Sequence, residues 1–497
     1  MTLFKGELRR WLFRVLPIIL VVCCPENLSA RLGGGGGYSG GGGGGGGGYS
    51  GGGGYSGGGS YSGGGGGGGS HPPLTAKDYL MTMLCLSPLG ILMLYRSRND
   101  RINSTVIQRV PQKPVDWDVI RRGDPNFSHV LFRDFAYTLF DKVHEARGDG
   151  GLERFRQFID SDALKDLRAL NPEVRDVYGV IVGGFKINRV NVGQSDAEVA
   201  LTFDANYTED WGSGPPASVY SVQVWTLRRD RAAKSLPPES VTVFDCLACG
   251  SSFEPSLDGV CLHCGENVSP GLRHWALTSI TERVRRPVGP ALTTFAPDVG
   301  LHLPTVFAAD YQDERKRFER EHPKFDHDVM TNRFRHIFLE LQAAWSAQDL
   351  HRLRPFETDS LFQNHSYWVR EYKKQGLRNE LGQVRIQKLQ MVKIRSDRFY
   401  DAMTCRIFAS MTDCTRWSNG EIACGSPNVS KRFSEYWTFI RGRGAAEHKH
   451  GNQACPNCGA KLDINMAGVC EYCDGKITSG QFDWVLSEIQ QDEIYGR

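Results

Sequence analysis

Eight of the chain's fourteen cysteines fall into two copies of one spacing. Cys246, Cys249, Cys261 and Cys264 form the first copy and Cys455, Cys458, Cys470 and Cys473 the second, with eleven residues between the pairs in each. Two residues between paired cysteines let one tight turn aim both sulfurs at the same ion, and the second pair completes a tetrahedron of thiolates. Gly250 and Gly459 follow the first pairs, where such a turn favours a residue that tolerates positive φ, and Gly259 and Gly468 precede the second pairs. The pattern predicts two structural zinc ions, each held by four cysteines with no open coordination position for an activated water. Each insertion is too short for a large core, so the metal stands in for one. The alternative, two disulfides per module, needs an oxidising compartment.

Compartment is read from the N-terminal side. Lys5, Arg9, Arg10 and Arg14 precede a short apolar run, Val15 to Cys24, and Leu28-Ser29-Ala30 offers a small-residue cleavage site. Residues 1–30 therefore read as a signal peptide, with an uncleaved anchor as the alternative. Residues 31–73 are dominated by glycine with interspersed Tyr and Ser. With few side chains to bury, this stretch reads as a disordered spacer. Residues 79–95, from Tyr79 to Tyr95, carry no charge and are just long enough for a transmembrane helix. The two tyrosines fall where interfacial aromatics belong. Arg96, Arg98 and Arg101 follow the span, whereas Lys77 and Asp78 before it cancel. The positive-inside rule then puts the rest of the chain in the cytoplasm of a bacterial-type inner membrane, as a single-pass protein. Thiols stay reduced there, which favours zinc over disulfides. Cys405, Cys414 and Cys424 have no ligand spacing and read as ordinary thiols.

The remaining chain repeats one order of elements. Phe132, Phe135, Leu139 and Val143 share one helical face, as do Phe334, Ile337, Leu341 and Trp345. A shorter helix follows each, Leu152 to Phe158 and Leu350 to Phe356. Strand-like alternation comes next, over Val190 to Phe203 and over Val384 to Ile394 and Met403 to Met411. A strand carrying Trp225 or Trp437 precedes each cysteine module, and Trp275 or Trp484 lies eleven residues after its last cysteine, at a closing strand. The expected architecture is α+β: two tandem curved sheets, each wrapped round a long helix and each carrying a four-cysteine zinc ribbon before its last strand.

Pro323-Lys-Phe-Asp-His-Asp-Val-Met-Thr-Asn-Arg-Phe334, followed by the run from Leu339 to Phe356, resembles the Tim44-like domain, the membrane-docking domain of a mitochondrial import-motor tether. Asp124-Pro-Asn-Phe127-Ser and the helix after it resemble a second, weaker copy. The resemblance implies a cone-like fold similar to nuclear transport factor two. It places one domain over 124–286 with a zinc ribbon at 246–264, a linker over 287–323, and a second domain over 324–491 with a ribbon at 455–473. The cysteine modules depart from the mitochondrial pattern. The resemblance further implies a non-enzymatic scaffold or tether at a membrane, and supplies no catalytic residue.

The sequence is compatible with three function classes. The leading one is a membrane-anchored scaffold whose tandem domains bind a protein partner, membrane lipids or both, in protein translocation or membrane-protein assembly. The second is an enzyme with a pocket in one cone, for which Asp204, Tyr207 and Asp413 are the candidate residues; as lone groups they read as solvated strand ends. The third is nucleic-acid binding by the ribbons. A net charge of +3 and ribbon loops without clustered Lys or Arg argue against it, so no nucleic acid is expected. His263, His274, His448 and His450 read as surface histidines, since four cysteines already complete each site. Arg283, Arg285 and Arg286 form a small basic cluster, read either as a solvated linker or as a contact for anionic headgroups.

Overall fold

A computed structural model describes residues 115–148, 151–238, 244, 246–249, 260–287, 300–445, 453–492 and 495. The expected signal peptide, the glycine-rich stretch and the span at 79–95 lie outside the described residues, as do Gly250, Gly259, His448 and His450. No helix among the described residues is long and apolar enough to cross a membrane.

Two four-stranded antiparallel sheets dominate the described chain. Strands β1 (Asp176–Val192), β2 (Asp196–Asp210), β3 (Ala217–Asp230) and β4 (Ala276–Arg286) form the first. Strands β5 (Leu377–Ser396), β6 (Tyr400–Trp417), β7 (Ile422–Gly442) and β8 (Val485–Gln491) form the second. Both are meanders in sequence order, with the cysteine modules between their last two strands. β1 and β5 each carry three register shifts against their neighbour. Such bulges bend a strand and increase its twist.

Helices precede each sheet. In the first repeat these are α1 (His129–Glu145), a 3-10 helix at Gly151–Phe158, and α2 (Ser161–Ala169). In the second they are α3 (Tyr311–Glu321), α4 (His327–Ala347), a short turn at Leu350–Phe356, and α5 (Asp359–Lys374). The long helices start at side-chain caps. Ser128 accepts from the amide of Leu131, and Asp326 from those of Asp328 and Val329. α4 ends on Gln348, which takes the left-handed conformation.

The two long helices begin 198 positions apart, at His129 and His327. This offset superimposes Phe127 on Phe325, Phe135 on Arg333, Phe140 on Phe338 and Phe158 on Phe356. Contacts agree with it: Phe140 packs 5.0 Å from Trp225, and Phe338 packs 4.9 Å from Trp437. Arg229 lies 4.8 Å over Trp275, as Arg441 lies 4.8 Å over Trp484. In both repeats the residue after the helical turn makes a parallel bridge to the closing strand, Ile159 to Leu277 and Glu357 to Leu486.

α3 falls within the expected linker at 287–323 and belongs to the second repeat, where Tyr311 and Phe318 are buried in its core. The repeats also share core. Tyr400, Ala402, Ile440 and Val485 of the second sheet lie in the cluster built around α1. Asn364 on α5 donates to the Val182 carbonyl on the edge strand β1 at 3.1 Å, Arg133 pairs with Glu488, and His129 lies 3.5 Å from Asp397. The contact covers only the start of β6, at Tyr400 and Ala402; further along, the same face is covered within the second repeat, where Arg406 meets the Leu303 carbonyl, Thr305 and Asp492.

Candidate metal centres and the interiors of the repeats

Each cysteine module is built from turns that need particular backbone torsions. In the second module Cys455 donates to the Ala460 carbonyl and accepts from the Gly459 amide at 2.9 Å. Cys470 does the same with Gly475 and Asp474, and Cys261 with Glu266 and Gly265. Gly459 sits at φ 78° and Gly468 at φ 81°, in the left-handed region favoured by glycine. A Cβ on Gly468 would also lie 2.2 Å from the Thr478 hydroxyl.

These turns bring the sulfurs of Cys246, Cys249, Cys261 and Cys264 together, and likewise those of Cys455, Cys458, Cys470 and Cys473, all within 4.8 Å of one another in each cluster. Cys246 and Cys264 Sγ are 4.0 Å apart, and Cys455 and Cys473 Sγ 3.9 Å apart. A tetrahedron with metal–sulfur bonds of about 2.3 Å has edges of about 3.8 Å, whereas a disulfide needs about 2.05 Å. The donor set therefore fits a four-thiolate metal and not a pair of disulfides. Amide and amide-like donors point at the sulfurs: Ala248 N to Cys246 at 3.4 Å, Tyr472 N to Cys470 at 3.5 Å, and Asn457 Nδ2 to Cys473 at 3.4 Å. Such donors stabilise thiolate over thiol.

The modules dock on the helical turn of their own repeat, by different chemistry. Gln157, buried, donates to the Phe244 carbonyl at 3.3 Å and accepts from the Leu247 amide at 3.2 Å. In the second repeat Arg354, 2 % exposed, donates through Nε to the Met466 carbonyl at 2.8 Å and pairs with Asp359. Asp359 also holds Lys476 at 2.8 Å and the Thr478 hydroxyl at 3.1 Å. Burial raises the Asp359 carboxyl's pKa, but Arg354 and Lys476 outweigh it and hold that pKa below its ordinary value. None of these docking residues stands out in sequence, because the partners lie about a hundred positions apart.

Three expectations for polar residues are corrected. Tyr207 and Asp413, read as solvated strand ends, are buried mid-sheet; Asp204 is half-buried. Tyr207 stacks 4.9 Å from His144, and its hydroxyl accepts from Arg285 at 3.2 Å. Asp413 accepts from Asn379 at 2.7 Å. Burial raises the pKa of Asp204, opposed by a hydrogen bond from Tyr220. Among the basic cluster, Arg285 is not a free linker cation: with Arg147 and Asn171 it holds the fully buried Glu209, the Arg147 and Asn171 contacts being 2.6 and 2.7 Å. Glu209 is thus spent on structure, and its carboxyl is held below the usual range because Arg147 chiefly outweighs its desolvation. His274 is buried rather than on the surface, its ring 4.3 Å from Phe135. His263 Nδ1 lies 3.9 Å from Cys249 Sγ, beside the first cluster rather than in it.

Burial lowers the pKa of His274 to about 3, with Arg229 adding to the effect, and holds His144 well below its ordinary value. Both stay neutral in the folded protein. Below about pH 6.5 the unfolded chain takes up a proton that folded His274 refuses, so its contribution to stability is present above that pH and lost as pH falls toward 3. Asp134 and Asp141, whose carboxyls burial raises to about 7, run the other way. The expected result is therefore a difference: the stability gap between the wild type and His274→Gln narrows by about 2 kcal/mol between pH 6.5 and 5, measured by urea unfolding of both proteins. A gap independent of pH would contradict the buried neutral ring.

Residues 313–451 match the family model of the Tim44-like domain. The match runs from α3 through β7 and stops before the second cysteine cluster. It covers less than a third of the chain; the first repeat and both cysteine modules lie outside it. No curated protein matches the chain significantly.

Proposed function

We propose that this chain is a membrane-anchored scaffold, tethered by the span at 79–95, whose two cytoplasmic repeats bind a protein partner and the lipid surface during protein translocation or membrane-protein assembly. The observation that carries the reading is the Tim44-like domain at 313–451, a domain of a non-catalytic scaffold family. The first repeat shares its element order, and both are read as cone-like domains similar to nuclear transport factor two. The eight clustered cysteines are assigned as ligands of two structural zinc ions. Four thiolates leave no position for substrate or water, so the metal would supply folding energy and not chemistry.

The enzyme alternative rests on Asp204, Tyr207 and Asp413, of which Tyr207 is held by Arg285 and Asp413 by Asn379. The polar groups around Tyr207 are largely paired with one another, Glu209 with Arg147, Arg285 and Asn171, and His144 through Nε2 with Gln223 at 3.2 Å, while His144 Nδ1 and Arg147 Nη1 are left without a hydrogen-bond partner. A general base or nucleophile needs to face a substrate instead.

Crosslinking the full chain in membranes and identifying captured proteins tests the scaffold. Asp204→Asn and Asp413→Asn are expected to leave capture and cellular function intact, whereas deletion of residues 300–497 abolishes both. Loss of function from the carboxylate changes alone, with folding and zinc content unchanged, would favour the enzyme. Topology is tested separately: a reporter active only in the cytosol is expected to work when fused after Arg497. Activity only from an exported reporter at that position would reverse the orientation.

A further inference from the structure

The two cysteine modules differ in what they touch beyond themselves. Described contacts of the first stay within the first repeat, through Gln157 to Phe244 and Leu247. The second module presents the Met466 carbonyl, Lys476 and Thr478 to Arg354 and Asp359. Asp359 is the first residue of α5. That helix continues into the joint between the repeats, where Asn364 caps the Val182 carbonyl and Tyr367 packs against Gly179 on β1. Arg354 also lies 4.6 Å over Phe362, one turn into the same helix.

We propose that the metal of the second cluster is a control point for the joint between the repeats, with zinc or a similarly thiophilic divalent ion as its ligand. The proposal rests on the assignment of these cysteines as metal ligands. The module's buried core is Cys455, Ile464, Cys470 and Ile477, two of which are assigned as ligands themselves. Without metal, four such residues cannot hold the hairpin. Met466, Lys476 and Thr478 then leave their partners, and Arg354 and Asp359 lose the contacts that fix the start of α5. The N-terminal half of the helix, which grips β1 through Asn364 and Tyr367, is thereby loosened. The first module approaches the joint by apolar packing instead: Leu247 lies against the cluster around α1 that Tyr400 and Val485 also enter, with no counterpart of the Arg354–Asp359 contact with α5 among the described residues.

Hydrogen exchange on the full chain, with zinc counted in each sample, tests this. In Cys458→Ser, amides of residues 179–186 and 360–369 are expected to exchange about tenfold faster than in the wild type. In Cys249→Ser they stay at the wild-type rate. The double variant Lys476→Met/Thr478→Val leaves all cysteines in place; it is expected to keep two zinc ions and still speed exchange at the joint. Unchanged exchange at the joint in Cys458→Ser, or in the double variant, overturns the coupling, as does an equal effect from Cys249→Ser. A wild type without zinc would overturn the metal assignment instead, so the two failures are told apart by the zinc count.

Discussion

Arg333→Phe is expected to cost about 3–5 kcal/mol of stability, the loss that follows when one partner of a buried ion pair is removed. Arg333 Nε and Asp483 Oδ2 are 3.0 Å apart, with both side chains about 95 % buried. The substitution leaves the Asp483 carboxylate without its guanidinium in the core. The first repeat shows what the same place accepts. The 198-position offset of the helices puts Phe135 at the position of Arg333, and the 209-position offset of the cysteine modules, Cys246 to Cys455, puts His274 at that of Asp483. There the pair is an edge-to-face contact at 4.3 Å. Both versions lie beside the same Arg-over-Trp stack, Arg229 on Trp275 and Arg441 on Trp484. The double variant Arg333→Phe/Asp483→His is therefore expected to recover more than half of the loss. Recovery stays incomplete because Phe244, which stacks 6.1 Å from Phe135, corresponds to exposed Gln453. Urea denaturation of the two variants and the wild type measures this. A double variant as unstable as the single one would contradict the equivalence of the two sites.

Cys458→Ser is expected to have the largest local effect. It removes one thiolate from a closed site whose metal contributes on the order of 10–16 kcal/mol in isolated zinc modules. The hairpin 455–473 should unfold while the β5–β8 sheet persists, because that sheet has its own core around Phe334, Trp437 and Leu486. Limited proteolysis should cut the variant within the module at zinc concentrations where the wild type is resistant. A variant that keeps both zinc ions and resists cleavage would show that Cys458 is not a ligand.

The two four-cysteine clusters were legible in sequence because their geometry is local: cysteine spacing and turn glycines sit within a few residues of each other. The long helices were legible from their apolar faces, and the closing strands from Trp275 and Trp484. The register between the repeats was not. Phe132 to Val143 and Phe334 to Trp345 share a spacing, yet the structure pairs them one helical turn apart from that match. An amphipathic pattern recurs every three to four residues, so it cannot fix which turn corresponds to which. Phe127 and Phe325, outside the helices, fix it: Phe127 packs against Trp275, and Phe325 meets the Arg441 that lies over Trp484.

Burial of polar groups was illegible for a related reason. Glu209 is 62 positions from Arg147 and 76 from Arg285, so nothing near it in sequence announces that it is paired. Read alone, an acidic residue on a strand looks solvated. α3 was read as linker because its eleven residues contain eight charged ones and only Tyr311 and Phe318 turn inward. α5, unremarked in sequence, buries Phe362, Trp368, Val369 and Tyr372 on one face.

The central claim, two closed metal sites that complete a tandem binding platform, is tested most directly by metal analysis of the purified chain under reducing conditions. The account predicts about two zinc ions per chain, lowered to about one by Cys458→Ser and by Cys249→Ser alike. A metal-free protein whose eight cysteines are joined as disulfides would contradict it, and with it the cytoplasmic placement of both repeats.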